Sequence, residues 1–225
     1  MCELLILPFL PFSVLADHPP GMGDSDHNQT NYQTLVIGDS IIRRTGEFLA
    51  ANHHPVLYQS IHFWGQGGLI LQDCPAFLQQ TLYQISKPPS QVVIAVGTNN
   101  LIQSSTSKII RSLKKLFNRI TIDIPHSIPI YSFILPRKIY KNKGSKYPFT
   151  VQRTRTLEKK RKTINRIMQK YLGKDRVLRH DNICPDSCLK GGLDGVHLNK
   201  EGTIKFLDNF HQWLKRQESQ KTICK

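Results

Sequence analysis

Acidic residues are scarce in this chain. Asp and Glu number 16 against 31 Lys and Arg, so the formal net charge is +15 at pH 7. Such a surplus of positive charge favours partners that carry negative charge, such as nucleic acid or the headgroups of acidic lipids. Sixteen of the cations fall in residues 137–179, where the only acids are Glu158 and Asp175. The remainder of the chain is therefore nearly neutral.

This basic segment has two interpretations. It is either a docking surface for a polyanion or a solvated helix face joined to a loose loop. For the docking interpretation, the sequence singles out the consecutive cations Lys159, Lys160, Arg161 and Lys162. Nucleic acid and an anionic membrane are both candidate partners.

A dense cysteine framework is also absent. The cysteines are an odd number and are spread over the chain, which is typical of reduced thiols and not of a disulfide scaffold. They are Cys2, Cys74, Cys184, Cys188 and Cys224. Cys184 and Cys188 are flanked by His180 and His197, but this spacing matches no strong zinc pattern, so we predict no metal site. A disulfide between Cys184 and Cys188 is the alternative if the protein is secreted.

The apolar run at residues 4–15 is too short to cross a bilayer as a helix. It ends in small residues, as signal peptides do, but no Lys or Arg precedes it and two prolines interrupt it. We therefore favour an unstructured leader over residues 1–16 and a cytoplasmic protein, with secretion as the alternative. Residues 17–31 are polar and read as a flexible linker. The domain is predicted over residues 32–217, with a tail at 218–225.

Three short apolar runs rich in β-branched residues each stop at a turn, as strands buried on both faces do. Segments with apolar residues three and four positions apart alternate with them, which is typical of helices that cover a sheet. The predicted strands are 34–37, 91–96 and 128–134, and the predicted helices are 73–85, 106–122 and 150–172. This alternation predicts an α/β fold in which helices cover both faces of a parallel sheet.

Asn199 is predicted to cap a final helix. Its buried stripe is expected to consist of Ile204, Leu207, Phe210 and Leu214. In a sheet of this type, ligands bind at the carboxyl ends of the strands. The loops after the three predicted strands are therefore the candidate site.

Gly38-Asp39-Ser40 follows the first predicted strand directly. A serine at a strand-to-helix turn presents its hydroxyl at the sheet edge, with its own backbone N–H pointing into the site. The alternative is a plain turn in which Ser40 caps a helix. Near the C-terminus, the Asp194-x-x-His197 spacing allows the carboxylate to accept from one imidazole nitrogen while the other faces a serine. By itself, this second motif is compatible with an ordinary surface loop.

Two further motifs supply candidate hydrogen-bond donors. The turn 64–68 is rich in glycine, which allows the backbone to approach a ligand closely. The segment 97–100 follows the second predicted strand, and Asn99 there can offer a neutral side-chain N–H to a developing oxyanion. Taken singly, both segments are compatible with ordinary turns.

All four motifs occur in one chain, in order, each at a predicted loop of the same sheet. Together they resemble the four sequence blocks of the SGNH (GDSL-like) hydrolase superfamily. The resemblance implies a flavodoxin-like α/β/α sandwich, a serine esterase acting on a small acyl ester or lipid, and no metal or organic cofactor. It implies that Ser40 is the nucleophile, His197 its base and Asp194 the residue that orients the histidine. Ser40, Gly68 and Asn99 would be the oxyanion donors.

The resemblance covers about residues 34–215, with two departures. The glycine block is loose, which leaves Gly67 as an alternative to Gly68, and Asn100 stands where many members have Asp. The strings GDSIIRR, GTNN and DGVHLNKEG are also similar to the esterase-like domains of vertebrate LINE-type retroelements. The alternative function is a module on the same scaffold that binds nucleic acid or anionic membrane with little or no catalysis.

Overall fold

The computed structural model describes residues 33–52, 61–85, 87–141, 146–191 and 194–223. The predicted leader and linker lie outside these residues. Five strands are present: β1 Thr34–Gly38, β2 Ile61–Gly65, β3 Gln91–Ala95, β4 Ile128–Ser132 and β5 Val177–Leu178. The helices are α1 Ser40–Ala51, α2 Cys74–Gln84, α3 Asn100–Gln103, α4 Thr106–Asp123, α5 Val151–Leu172, α6 Pro185–Cys188 and α7 Lys200–Ile223.

The strands form one parallel sheet in the order β2-β1-β3-β4-β5. Because side chains alternate across a strand, Leu35 and Ile37 enter one core cluster and Val36 enters the other. The first cluster lies beneath α2, α4 and α5, and the second lies beneath α1 and α7. The α/β/α sandwich with a central parallel sheet is thus confirmed.

The predicted strands and helices correspond to β1, β3, β4, α2, α4 and α5, with ends that differ by a few residues. Two strands were not predicted. β2 is an edge strand in which only Ile61 is fully buried, so it lacks a continuous apolar run. β5 is two residues long and gives no periodic signal. Both owe their conformation to pairing with a neighbouring strand.

The final helix begins as predicted, because Asn199 Oδ1 accepts from Gly202 N at 2.8 Å. The prediction of its buried stripe was partly wrong, because Ile204 is 43% exposed. The buried apolar side chains of α7, among those that the structure describes, are Phe206, Leu207, Phe210 and Trp213. The helix is rotated about its axis so that its aromatic rings face the core, where Phe206 stacks on buried His180 with ring centroids 4.4 Å apart. The helix continues to Ile223, past the predicted end of the domain.

Among the described helices, none combines the length and the apolar character that crossing a bilayer requires. The order 2-1-3-4-5 places a topological switch point between β1 and β3, because the crossover from β1 to β2 and the crossover from β2 to β3 run in opposite directions. The carboxyl ends of β1, β3 and β4 meet beside it. The loops that follow these strands carry the candidate site.

Candidate active site

Ser40 is the first residue of α1, and Asp39 alone separates it from β1. Asp39 caps the helix, its Oδ1 accepting from Ile41 N at 2.9 Å. Gly65 at the end of β2 packs against this turn so closely that a Cβ there would lie 2.2 Å from Arg43 N and 2.7 Å from Asp39 O. The turn is therefore held by its cap and by a contact that only glycine permits.

The structure brings the predicted Ser, His and Asp together. Ser40 Oγ lies 2.8 Å from His197 Nε2, and His197 Nδ1 lies 2.9 Å from Asp194 Oδ1 and 3.1 Å from Oδ2. Ser40 and His197 are 157 residues apart in the chain. An ionised Asp194 accepts the proton of Nδ1, which leaves the lone pair of Nε2 facing the serine hydroxyl.

The loop that carries Asp194 and His197 is anchored on both sides. Gly195 has φ of +50° and lies against Ile139, where a Cβ would meet the Ile139 side chain at 2.8 Å. Its carbonyl accepts from Lys138 N at 2.9 Å, and Lys190 N donates to His197 O at 2.8 Å. These backbone contacts hold the loop that carries the imidazole.

The electrostatics keep His197 a base and Asp194 an anion. Burial lowers the pKa of His197 below 6.5, an effect that the Asp194 carboxylate opposes and the charge of Arg44 reinforces. Burial raises the pKa of Asp194, but the N–H groups of His197 and Val196, at 2.9 and 3.2 Å from Oδ1, outweigh it and bring the pKa below 3.8. At neutral pH the imidazole is therefore neutral and able to accept a proton.

Asp39 is a second carboxylate in this region, and it is 3% exposed. Burial raises its pKa to about 6, against the lowering effects of the Ile41 N–H and of the Arg137 charge. Its role in the geometry is structural, because the carboxylate oxygen holds the first turn of α1.

The predicted oxyanion donors lie in two loops that are linked to each other. Asn99 Nδ2 donates to Leu69 O at 3.1 Å, which ties the turn containing Gly68 to the loop after β3. Gly68 is exposed and has φ of +77°. Asn100, by contrast, is buried and structural: its Oδ1 accepts from Leu71 N at 3.0 Å and its Nδ2 donates to Gln72.

Arg137 was missed as an individual residue of the site. Its Nη2 donates to Asn99 Oδ1 at 3.2 Å, and the residue is 9% exposed. From the sequence, Arg137 was recognised only as one of the cations of the basic segment. The signal that could have found it is its position, because Arg137 lies in the loop that follows β4, at the carboxyl edge of the sheet.

The four cations singled out for docking divide into two pairs. Lys160 Nζ donates to Leu101 O at 2.7 Å and also to Ser104 O. Arg161 donates to Glu158 Oε2 at 2.8 Å and to Ile134 O at 3.0 Å. Only Lys159 and Lys162 point to solvent. Lys160 and Arg161 thus contact the protein's own backbone and Glu158, and the docking surface stays a prediction, with Lys159 and Lys162 as its exposed members.

In the part of the chain that the structure describes, no three or more His, Cys, Asp or Glu side chains lie together as metal ligands would. Cys184 and Cys188 are both free thiols, the first exposed and the second buried. His180 instead contacts Ser132 Oγ through Nε2 at 2.9 Å and Asn209 Nδ2 through Nδ1 at 3.1 Å.

The arrangement of sheet, helix layers and loops is the flavodoxin-like α/β/α fold of the SGNH hydrolases. No family model and no curated protein matches the sequence. Solved structures do match. A GDSL-like lipase from Bacteroides thetaiotaomicron has a TM-score of 0.62 at 13% identity, covering 84% of this chain and 89% of its own.

A member of the lipolytic G-D-S-L family from Veillonella parvula has a TM-score of 0.58 at 16% identity, covering 80% of this chain and 96% of its own. At these identities the likeness establishes the shared fold. The similarity to retroelement domains stays a prediction from short strings.

Proposed function

We propose that this protein is a serine esterase. Ser40 Oγ attacks the carbonyl carbon of an ester while His197 Nε2 takes the hydroxyl proton. The tetrahedral intermediate collapses when the C–O bond to the alcohol breaks, and the histidine returns the proton to the leaving oxygen. Water then attacks the acyl-Ser40 ester by the same route, releasing the carboxylic acid and restoring Ser40.

The negative charge on the carbonyl oxygen is assigned to three donors: the backbone N–H of Ser40, that of Gly68 with Gly67 as the alternative, and Asn99 Nδ2. Neutral donors aimed at a developing oxyanion stabilise it without titrating. Asp194 remains ionised and keeps the imidazole in the tautomer that attack requires. No cofactor takes part in this scheme.

The observation that carries this proposal is the continuous chain from Ser40 through His197 to Asp194, at 2.8 and 2.9 Å, at the carboxyl edge of the sheet. A serine that merely caps a helix would not need an imidazole oriented by a carboxylate. The names of the structural neighbours, a GDSL-like lipase and a lipolytic protein, give further support for ester hydrolysis.

The test is labelling by a fluorophosphonate probe together with hydrolysis of p-nitrophenyl acetate. We expect the wild type to be labelled and active, and Ser40→Ala and His197→Ala to lose both properties. Ser107→Ala is the matched control, because Ser107 is exposed near the start of α4. A folded wild type that neither reacts with the probe nor hydrolyses the ester would overturn the proposal.

A second candidate function is nucleic-acid binding, and one observation favours it. The outer face of α5 carries five exposed cations spaced three or four residues apart, which we name the outer stripe: Arg155, Lys159, Lys162, Arg166 and Lys170. At this spacing the side chains share one helix face about 22 Å long. None of the five forms an ion pair with an acid among the residues that the structure describes.

The neighbouring helix widens this surface. Lys108, Arg111 and Lys115 are exposed on α4. The two helices are neighbours, since Tyr171 OH donates to Asn118 Oδ1 at 2.9 Å. Cations on adjacent helices suit the phosphates of a nucleic acid, which repeat along one strand about every 3.4 Å.

A phosphate backbone fits the outer stripe better than a membrane does. A helix binds a membrane interface by burying its apolar face among the lipids. The apolar side chains of α5, including Ile164 and Met168, are instead packed in the core. Between Arg155 and Lys170, the only exposed side chain that is not cationic is Thr156.

The binding test uses a 20-nucleotide single-stranded RNA and reverses Arg155, Lys159, Lys162 and Arg166 to Glu, leaving Lys160 and Arg161 intact because they hold the fold. We expect the Kd to rise at least about tenfold and the slope of log K against log salt to fall by about three. The control reverses four exposed cations elsewhere: Lys87, Lys200, Lys215 and Arg216.

The control variant should bind within about twofold of the wild type. Equal weakening in the two variants would mean that only net charge matters and would sink the assignment to this face. Binding to phosphatidylserine vesicles without binding to RNA would replace nucleic acid by membrane.

A further inference from the structure

Arg137 is a buried cation that contacts a proposed oxyanion donor. It is 9% exposed, and its Nη2 donates to Asn99 Oδ1 at 3.2 Å. Its guanidinium also lies 5.6 Å from the centroid of the Tyr140 ring. Nε has no hydrogen-bond partner among the described residues. Burying a guanidinium with an unused donor is costly, so its retention calls for a compensating role.

The surroundings of Arg137 hold its backbone in place and set negative charge near its guanidinium. Its backbone N–H donates to Glu158 Oε1 at 3.4 Å, and the next residue, Lys138, donates from its backbone to Gly195 O. Burial lowers the pKa of Arg137, while the negative charges of Asp39 and Glu158 oppose this. One side chain thus connects the loop after β4 with the loop after β3, and its backbone neighbour contacts the loop of the triad.

The contacts of Asn99 leave its amide a single orientation. Oδ1 accepts from Arg137, and one N–H of Nδ2 donates to Leu69 O at 3.1 Å. A flipped amide would set its NH₂ group against the guanidinium and its oxygen against the Leu69 carbonyl. The second N–H of Nδ2 is not used by either contact and is available to an oxyanion.

The geometry points to Arg137 as a positioning residue that acts through Asn99. It locks the amide with its donor side away from the guanidinium, and its positive charge polarises the amide so that the N–H becomes a stronger donor to the oxyanion. The inference rests on the proposed esterase function. It assigns Arg137 no contact with the substrate.

The test is a double-mutant cycle on ester hydrolysis with Arg137→Met and Asn99→Ala. Removing an oxyanion donor costs about 100-fold or more in kcat, so we expect that loss for Asn99→Ala. Arg137→Met should lower kcat about tenfold with KM within about twofold, because the interaction is made in the transition state. In the Asn99→Ala background, Arg137→Met should change kcat less than about twofold.

Two further variants separate positioning from stability. Arg137→Lys keeps the charge and one donor and should recover kcat to within about threefold of the wild type. Lys138→Met is the matched control, because the side chain of Lys138 is exposed and forms an ion pair with Asp186 at 3.3 Å, away from Asn99. It should match the wild type in kcat and KM.

A loss from Arg137→Met that is equal in both backgrounds would overturn the inference, as would an unchanged kcat in a folded variant. If Arg137→Met does not fold, Arg137→Gln, which also removes the charge, enters the same cycle, and a kcat that follows thermal stability in both backgrounds would also overturn the inference. An inactive wild type that is not labelled by fluorophosphonate would instead refute the esterase function itself.

Discussion

At the residue scale, the protonation state of His197 depends on the groups around its imidazole. The imidazole is 19% exposed and lies between a hydroxyl and a carboxylate, with Arg44 and Lys190 close enough to disfavour its protonated form. Burial acts in the same direction. The imidazole is therefore neutral at neutral pH and can accept a proton, and Asp194 partly restores the basicity that burial removes.

This balance predicts the pH profile. Because the pKa of His197 is below 6.5, the acidic limb of kcat/KM should have its midpoint below pH 6.5. Asp194→Asn removes the charge that raises this pKa, so the limb should move to lower pH while kcat falls by about 10⁴. Asp186→Asn, a control at an 84% exposed carboxylate, should leave both unchanged. A limb that moved to higher pH in Asp194→Asn would contradict this account of the electrostatics.

At the element scale, the two faces of α5 differ in what they contact: one faces solvent and the other faces the protein core. The outer face carries the outer stripe, and the inner face holds the loop after β4. Asn165 is the centre of this contact: its Oδ1 accepts from Tyr131 OH at 2.9 Å and from Ile134 N at 3.0 Å, and its Nδ2 donates to Ile134 O. We call these three hydrogen bonds the Asn165 clamp. The loop that brings Arg137 to Asn99 begins at this clamp.

Asn165→Leu preserves the size of the side chain but leaves the Tyr131 hydroxyl and the Ile134 N–H without partners in the core. Each buried unpaired donor costs about 1–3 kcal/mol, so we expect the free energy of unfolding to fall by about 2–5 kcal/mol. Urea denaturation measures this as a lower midpoint with an unchanged slope. Arg166→Ala, one residue further and exposed, should change stability by less than about 0.5 kcal/mol. Equal stability of the two variants would show that the clamp is not needed.

At the scale of the whole molecule, the positive charge is concentrated on one side. The outer stripe and the exposed cations of α4 lie on the same helix layer, whereas α1 and α7 lie on the other face of the sheet. Like charges on adjacent helices repel one another, which opposes the compact state. Salt screens this repulsion, since the Debye length is about 10 Å at 0.1 M.

We therefore expect the Tm to rise by about 2–4 °C between 0.02 and 0.3 M NaCl, as a stabilisation of about 1 kcal/mol would produce. The Glu reversal of Arg155, Lys159, Lys162 and Arg166 should lose most of this rise, because it replaces repulsion by attraction on that layer. Reversing Lys87, Lys200, Lys215 and Arg216 should preserve more of it. A Tm that is insensitive to salt in the wild type would contradict the expected repulsion.

The local features of the fold and site could be read from sequence. The apolar runs that became β1, β3 and β4 are buried on both faces, and this requirement is visible in composition alone. Ser40 comes two residues after the end of β1, and Asp194 and His197 lie three residues apart in one loop. The placement of Ser40 after the strand, and of Asp194 near His197, therefore follows from short spacings in the sequence. The order of the four motifs along the chain then predicted that they meet at one edge of the sheet.

Features made by contacts between distant segments could not be read in this way. β2 and β5 form because a neighbouring strand offers unpaired backbone groups, and α7 turns Phe206 inward because His180 provides a surface to stack on. Adjacent cations on α5 looked equivalent in sequence, but helical geometry sends Lys160 and Arg161 to backbone carbonyls and Lys159 and Lys162 to solvent.

The amino-acid sequence by itself determined the class of fold and the order of the candidate catalytic groups, because both follow from local composition and short spacings. Only the tertiary structure decided which cations face solvent and which donate to backbone carbonyls. It also placed Arg137 beside Asn99, 38 residues away in the chain. The physical reason is that burial and partner choice depend on side chains that the packed helices and sheet bring together.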